Sequence, residues 1–279
     1  MQIGFNLLLW TTHLTADLLP VLKALKAAGY DGVEVPVFGG DPASYRNLKQ
    51  MLDGEGLRST VVAIVQDEAR NPLSATHEAA GVDYLKWLVD CAVALGAEVI
   101  GGPFYQPLGT FSGLPLTDAE WDRLVRTQTA MADHAGTAIT LAVEPLNRFE
   151  CYALSTCERA DKLVRAVNRA NYGYLFDTFH SNIEEKDAVA ALKSTLPSVT
   201  HIHISENDRG TPGRGHAPIR ETIRTARAAG YDGWLTVEAF GHALPDIAAA
   251  TRVWRPLFGS YEEVYTEAIA LIRHALEEA

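Results

Sequence analysis

Three carboxylates and one imidazole stand at the ends of four successive runs with strand periodicity. In Ala138–Glu144, the residues Thr140, Ala142 and Glu144 share one face, against Ile139, Leu141 and Val143. Tyr172–Asp177 puts Leu175 and Asp177 on one face, with Asp177 last. Val199–Ser205 alternates His201, His203 and Ser205 with Ile202 and Ile204, and Trp234–Glu238 alternates Trp234, Thr236 and Glu238 with Leu235 and Val237. Singly, each signal is weak: a strand-end glutamate is more often a cap or an ion-pair partner, and a strand histidine is often a satisfied core group. Four in register are harder to dismiss, because converging carboxylates repel and are costly to bury unpaired. A divalent cation resolves that repulsion. Oxygen donors with one imidazole favour Mn²⁺ first, with Mg²⁺ or Co²⁺ as alternatives, over a structural zinc. Four protein ligands on an octahedral ion leave two positions open, which suits a bidentate substrate such as a hydroxyketone. His203 is preferred to His201 as the ligand, because His201 lies one pleat deeper.

Such a convergence needs parallel strands that end at one place. Apolar or alternating runs at Ile3–Leu9, Gly32–Val37, Leu57–Val65 and Glu98–Gly102 precede the four described above. Helical segments separate them. One follows Asp17 to Gly29, one Asp41-Pro42 to Gly54–Gly56, one Ser74 to Leu95, and one opens on the capping box Thr117-Asp118-Ala119-Glu120. The second half repeats the pattern with Ser155–Ala170, Glu185–Ser194, a helix entered at Pro218 as its first residue, and Ser260–Ala279. Eight strand–helix units without a linker predict an α/β protein, a (β/α)8 TIM barrel forming a single domain over residues 1–279. The stretch Lys26–Gly32 is echoed by Arg227–Gly233, the same helix-stop and strand-start at both ends of the chain. In such a barrel, catalytic groups come from the C-terminal strand ends.

Four motifs carry a family likeness: Glu144-Pro145-Leu146-Asn147-Arg148-Phe149-Glu150, Phe176-Asp177-Thr178-Phe179-His180, His203-Ile204-Ser205-Glu206-Asn207-Asp208-Arg209-Gly210 and Val237-Glu238-Ala239-Phe240. They resemble the D-tagatose 3-epimerase family, which includes the D-psicose (allulose) and L-ribulose 3-epimerases among the xylose-isomerase-like barrels. The likeness covers nearly the whole chain and is looser in the first half. It implies one metal ion per subunit held by Glu144, Asp177, His203 and Glu238. It also implies that Glu150, His180 and Arg209 hold a ketose around O1 and O2, and that the protein is a homodimer or homotetramer.

The residue types fit that chemistry. Inverting C3 of a ketose removes the proton beside the C2 carbonyl and returns it on the other face. A free glutamate, with a pKa of about 4.3, is a poor base for a C–H. A cation on O2 and O3 would stabilise the enediolate as its charge develops. Glu144 and Glu238, on the fifth and eighth strands, would then flank the carbon as the two catalytic carboxylates. Arg209 offers fixed donors, His180 can donate to O2, and Phe240, beside Glu238, can wall the sugar. Phe5, Trp10, Phe38, Phe104, Tyr105 and Phe111 are weaker wall candidates. Asn6 and Glu34 face inward on early strands with no assigned role, and His13, His216 and His242 sit in loops. The expected substrates are the pairs L-ribulose/L-xylulose, D-fructose/D-psicose and D-tagatose/D-sorbose.

Bulk properties narrow the alternatives. A net charge of −11 argues against nucleic acid or an anionic membrane as partner. It weighs against a DNA-repair nuclease on the same barrel, as does a single strand-end histidine. An aldose–ketose or hydroxypyruvate-type isomerase remains an alternative, as does a non-catalytic sugar-binding barrel. Three cysteines without CxxC spacing read as free thiols in a reducing compartment. The opening MQIGFNLLLW lacks a basic lead and a cleavage site, and no apolar run approaches a membrane span, so a cytoplasmic protein is expected. The Phe104–Pro115 loop and Trp254–Phe258 are candidate subunit contacts, the former also a candidate lid.

Overall fold

Eight strands pair in parallel and in chain order, and the last closes on the first. The computed structural model describes Met1–Ala279. The strands are β1 (Gln2–Asn6), β2 (Gly32–Pro36), β3 (Arg58–Val62), β4 (Val99–Gly102), β5 (Thr140–Val143), β6 (Tyr172–Asp177), β7 (Val199–Ile204) and β8 (Trp234–Val237). Around them run α1 (Leu19–Ala28), α2 (Pro42–Gly54), α3 (Glu78–Leu95), α4 (Asp118–Ala135), α5 (Cys157–Val167), α6 (Thr178–Glu184), α7 (Ala188–Thr195), α8 (Ile219–Ala228), α9 (Pro245–Thr251) and α10 (Tyr261–Glu277). The outward residues of the strands, such as Val33, Leu141, Ile202 and Val237, join the main core with helix residues such as Leu22, Leu88 and Ile272. That leaves the inward face free to carry polar groups.

Local chemistry explains where the structure departs from the expected elements. The first strand stops at Asn6 rather than Leu9, because the Asn6 side chain accepts from Leu8 N–H and caps a 3₁₀ turn over Leu7–Leu9. The helix expected over Glu185–Ser194 is α7, capped by Asp187; the short α6 before it, capped by Asp177, has no counterpart in the expectation. The helix α3 starts at Glu78, not Ser74, and Pro218 is the cap of α8 rather than its first residue. The short helix α9 has no counterpart in the expectation. The Thr117–Glu120 capping box forms as read, with both reciprocal bonds present.

The barrel interior is plugged at its lower end by Val99, Ala142, Leu175 and Trp234. Trp234 fits because Gly32 faces it; a Cβ at Gly32 would come within 2.7 Å of the indole ring. Above this floor the pairing register decides which side chains meet. Between β6 and β7 the register shifts after Tyr174, so that Tyr174 pairs with Val199 but Leu175 pairs with His201. Without that shift Asp177 would lie opposite Ile202; with it, Asp177 lies opposite His203. Asn6, Glu34 and Thr60 form a second lateral row across β1, β2 and β3. Cys91, Cys151 and Cys157 are free and buried, and no helix is long and apolar enough to cross a membrane.

Candidate active site

Glu144 and Glu238 each lie one residue beyond the end of their strand, but neither is loose. The Glu144 N–H donates to Gly102 O and the Glu238 N–H to Ile204 O, so both extend the ladder by one bond. Their carboxylates, with those of Asp177 and Glu34, surround the His203 ring, and all five side chains are buried. His203 Nδ1 lies 3.4 Å from Glu238 Oε1, 3.6 Å from Asp177 Oδ2 and 3.9 Å from Glu144 Oε1. None of these is a hydrogen bond, and both His203 Nδ1 and Asp177 Oδ2 are left without a partner. Asp177 divides its work: Oδ1 accepts from the N–H groups of Phe179 and His180 and so caps α6, while Oδ2 points inward with no hydrogen bond, 3.5 Å from the Arg209 guanidinium. Buried polar atoms are costly to leave bare. A lone imidazole nitrogen ringed by carboxylate oxygens at these spacings is the donor set of a divalent cation. The residues fit such an ion.

Without the ion, charge is shared unevenly around the ring. Burial pushes the Glu144 carboxyl well above the usual range; the Glu238 and Asp177 carboxylates add to that, against the pull of His203. Burial acts on Glu238 in the same sense, but His203 and Arg209 outweigh it and hold this carboxyl below its ordinary value. Burial alone would lower His203, yet Glu34 and Glu238 raise it well above a free imidazole.

Arg209 enters the site from the β7–α8 loop. That loop is tied by Glu206, which accepts from the N–H groups of Asn207, Ala217 and Gly213. Gly215 must lack a side chain here, since a Cβ would lie 2.0 Å from Asn207 Oδ1 and 2.4 Å from Glu206 Oε1. Asn207 and Asp208 likewise bond to their own loop, so of this polar run Arg209 alone reaches the carboxylates. Arg209 adopts a left-handed φ of 68°. Its guanidinium lies over the rings of Phe179 and Phe240, at 3.8 and 5.0 Å from their centroids, and donates to Glu238 Oε2.

His180 is buried, and burial, then Arg209, drives its pKa down to about 3, so the ring is neutral. The N–H of Asn147 donates to its Nδ1 at 3.0 Å, which leaves the ring proton on Nε2. Arg209 Nη2 stands 2.9 Å from that Nε2, and it too can only donate. Two donors therefore face each other, and the chemistry they are set for is a shared acceptor oxygen. Asn147 also donates to Glu150 Oε1, which turns that carboxylate toward the same cavity.

The structure thus brings Glu144, Asp177, His203, Glu238, Glu150, His180, Arg209 and Phe240 to one place. Glu144, Glu150, His180, Arg209, Glu238 and Phe240 line a cavity closed by Leu8, Phe38, Val62, Ile64, Leu108 and Ile247. Of the other aromatic candidates only Phe38 reaches it. Phe5, Phe104 and Tyr105 are core, and the last two are thereby removed as lid or contact residues. Sequence reasoning left Asn6 and Glu34 unassigned and did not single out Thr60 or Asn147. The lateral row over β1, β2 and β3 was the missing signal, and register cannot be read from one strand alone.

Residues 22–274 match the family model described as xylose isomerase-like TIM barrel. The chain is 30% identical over 285 residues to the ketose 3-epimerase of Arthrobacter globiformis, spanning 99% of this chain and 97% of that protein. It is 29% identical over 283 residues to a probable ketose 3-epimerase of Synechocystis, again spanning 99% of this chain and 97% of that one. Among solved structures, the D-psicose 3-epimerase of Clostridium cellulolyticum H10 with D-tagatose superposes with a TM-score of 0.88 at 25% identity, covering 99% of both chains. A buried carboxylate–imidazole cluster at the strand ends of a closed barrel, and relatives that match it end to end, lead to one conclusion: the chain belongs to the ketose 3-epimerase family of xylose isomerase-like TIM barrels and is an isomerase.

Proposed function

We propose that the protein interconverts C3 epimers of free ketoses, and that Glu144, Asp177, His203 and Glu238 hold one divalent cation, Mn²⁺ first, with Mg²⁺ or Co²⁺ as alternatives. The observation that carries this is the pair of partnerless buried atoms, His203 Nδ1 and Asp177 Oδ2, aimed at one point among carboxylates. A bound cation would supply Lewis-acid stabilisation to the oxyanion that develops when the C3 proton leaves. The rest is the work of the chain. His180 Nε2–H and the Arg209 guanidinium place an acceptor oxygen of the ketose between two donors, and Glu150 accepts from a hydroxyl beside it. Glu144 and Glu238 stand on β5 and β8, so a carbon held between them has a carboxylate on each face. One takes the proton from C3 and the other returns a proton on the opposite side; their roles exchange in the reverse reaction and with substrate handedness. The apolar wall of Phe240, Leu8 and Ile247 excludes water from the intermediate.

The substrates proposed are L-ribulose/L-xylulose, D-fructose/D-psicose and D-tagatose/D-sorbose. The test is a ketose panel run with chelator-stripped and Mn²⁺-restored protein. Ketose products only, with activity lost on stripping and recovered on restoring, support the reading; an aldose product points instead to an isomerase moving the proton between C1 and C2. Phe149, Trp254 and Leu114, 73%, 70% and 68% exposed, are the apolar side chains proposed to meet a second copy in a homodimer or homotetramer.

A further inference from the structure

Beneath His203 lies a fully buried carboxylate that no step of the proposed reaction uses. Glu34 Oε1 accepts from the Thr60 hydroxyl at 3.0 Å and lies 3.0 Å from His201 Nε2. Its Oε2 accepts from the Asn6 amide at 2.9 Å and lies 2.8 Å from His203 Nε2, an approach close in distance though off-line for a full hydrogen bond. The same Asn6 amide donates to Glu238 Oε1 at 3.1 Å. Glu34 is therefore in contact with one of the four proposed cation ligands and one amide away from another.

Glu34, His201 and His203 are themselves close enough together to suggest a second cation site. The contacts argue otherwise. Both Glu34 oxygens already have partners on this lower side; neither His203 nitrogen makes a full hydrogen bond, but Nε2 stands 2.8 Å from Glu34 while Nδ1 has no carboxylate nearer than 3.4 Å. The lower cluster is a hydrogen-bonded acceptor; the upper one is a hole.

This asymmetry sets the direction of the imidazole. An ionised carboxylate only accepts, so a neutral ring beside it keeps its proton on Nε2. The lone pair is then on Nδ1, facing Glu144, Asp177 and Glu238. The other tautomer would set a lone pair against a carboxylate and an N–H into the hole. We propose that Glu34 is a positioning residue: it fixes His203 with Nε2–H toward the barrel floor and Nδ1 as the electron donor to the cation, and through Asn6 it sets the near oxygen of Glu238. The inference rests on the cation reading above.

The test is direct titration of Mn²⁺ into stripped protein, wild type against Glu34→Gln and Thr60→Val. Glu34→Gln keeps the volume but removes the charge and replaces one acceptor oxygen with a donor; it weakens Mn²⁺ binding by about 10–100-fold. Thr60→Val removes a bond to the far oxygen only; it lowers stability but leaves Mn²⁺ affinity as in the wild type. Equal affinity in Glu34→Gln and wild type overturns the proposal, as does an equal loss in Thr60→Val, which would mean general loosening. Nitrogen-15 histidine spectra of wild type loaded with diamagnetic Mg²⁺ read the tautomer without any substitution: a His203 proton on Nε2 supports it, and one on Nδ1 overturns it. If the wild type itself binds no cation, the reading of the site fails first, and that result is distinct from a wild type that binds while Glu34→Gln binds equally well.

Discussion

Glu144 and Glu238 differ in environment more than in chemistry. Without a cation, burial holds the Glu144 carboxyl well above the usual range, while His203 and Arg209 outweigh burial and hold Glu238 below it. Glu144→Gln and Glu238→Gln, assayed at saturating Mn²⁺, should each lower kcat by about 10²–10⁴-fold while leaving the fold intact by circular dichroism. Proton linkage gives a further expectation. In the cation-free protein Glu144 and His203 are both raised, from ordinary values of 4.5 and 6.5. At these two sites the folded chain holds more protons than the unfolded one, so the stability they contribute is present below the ordinary values and lost as pH rises through the folded ones. Above about pH 7.5, where His180 and His201, lowered by burial, are neutral folded and unfolded alike, stripped protein should therefore lose Tm as pH rises, and Mn²⁺, which displaces those protons, should restore more of it at the upper end. A Tm of stripped protein that climbs over that window would contradict the assignment.

At the scale of elements, single residues join local structure to the site. Asp177 caps α6 with one oxygen and faces His203 with the other. Asp177→Asn keeps a capping oxygen, so it should leave the urea midpoint nearly unchanged while weakening Mn²⁺ binding; Asp177→Ala should lose both, at about 1 kcal/mol for the cap. Gly215→Ala drives a methyl into Glu206 and Asn207 and should cost about 1–3 kcal/mol and raise KM through displacement of Arg209. These couplings also mark what could be read beforehand. Period-2 alternation placed Glu144, Asp177, His203 and Glu238 on inward faces because that depends on one strand at a time. The β6–β7 register shift and the Asn6–Glu34–Thr60 row depend on how strands slide past each other, which alternation does not encode.

The whole molecule is a scaffold for one buried cluster of carboxylates and imidazoles. Eight parallel strands closed on themselves bury their outer faces under helices and floor their interior with Trp234, Leu175, Ala142 and Val99. Above that floor the interior holds carboxylates and imidazoles that helix packing cannot neutralise. The fold is thus incomplete in charge, and a bound cation should stabilise it globally: Mn²⁺ at about 100 times its Kd adds about 2.7 kcal/mol, visible as a Tm rise that chelator reverses. The location of the ion tests this most directly. Anomalous scattering at the manganese edge, from crystals grown with Mn²⁺, should show one strong peak bounded by Glu144, Asp177, His203 Nδ1 and Glu238. An empty hole there, or a peak among Glu34, His201 and His203 instead, would contradict the account.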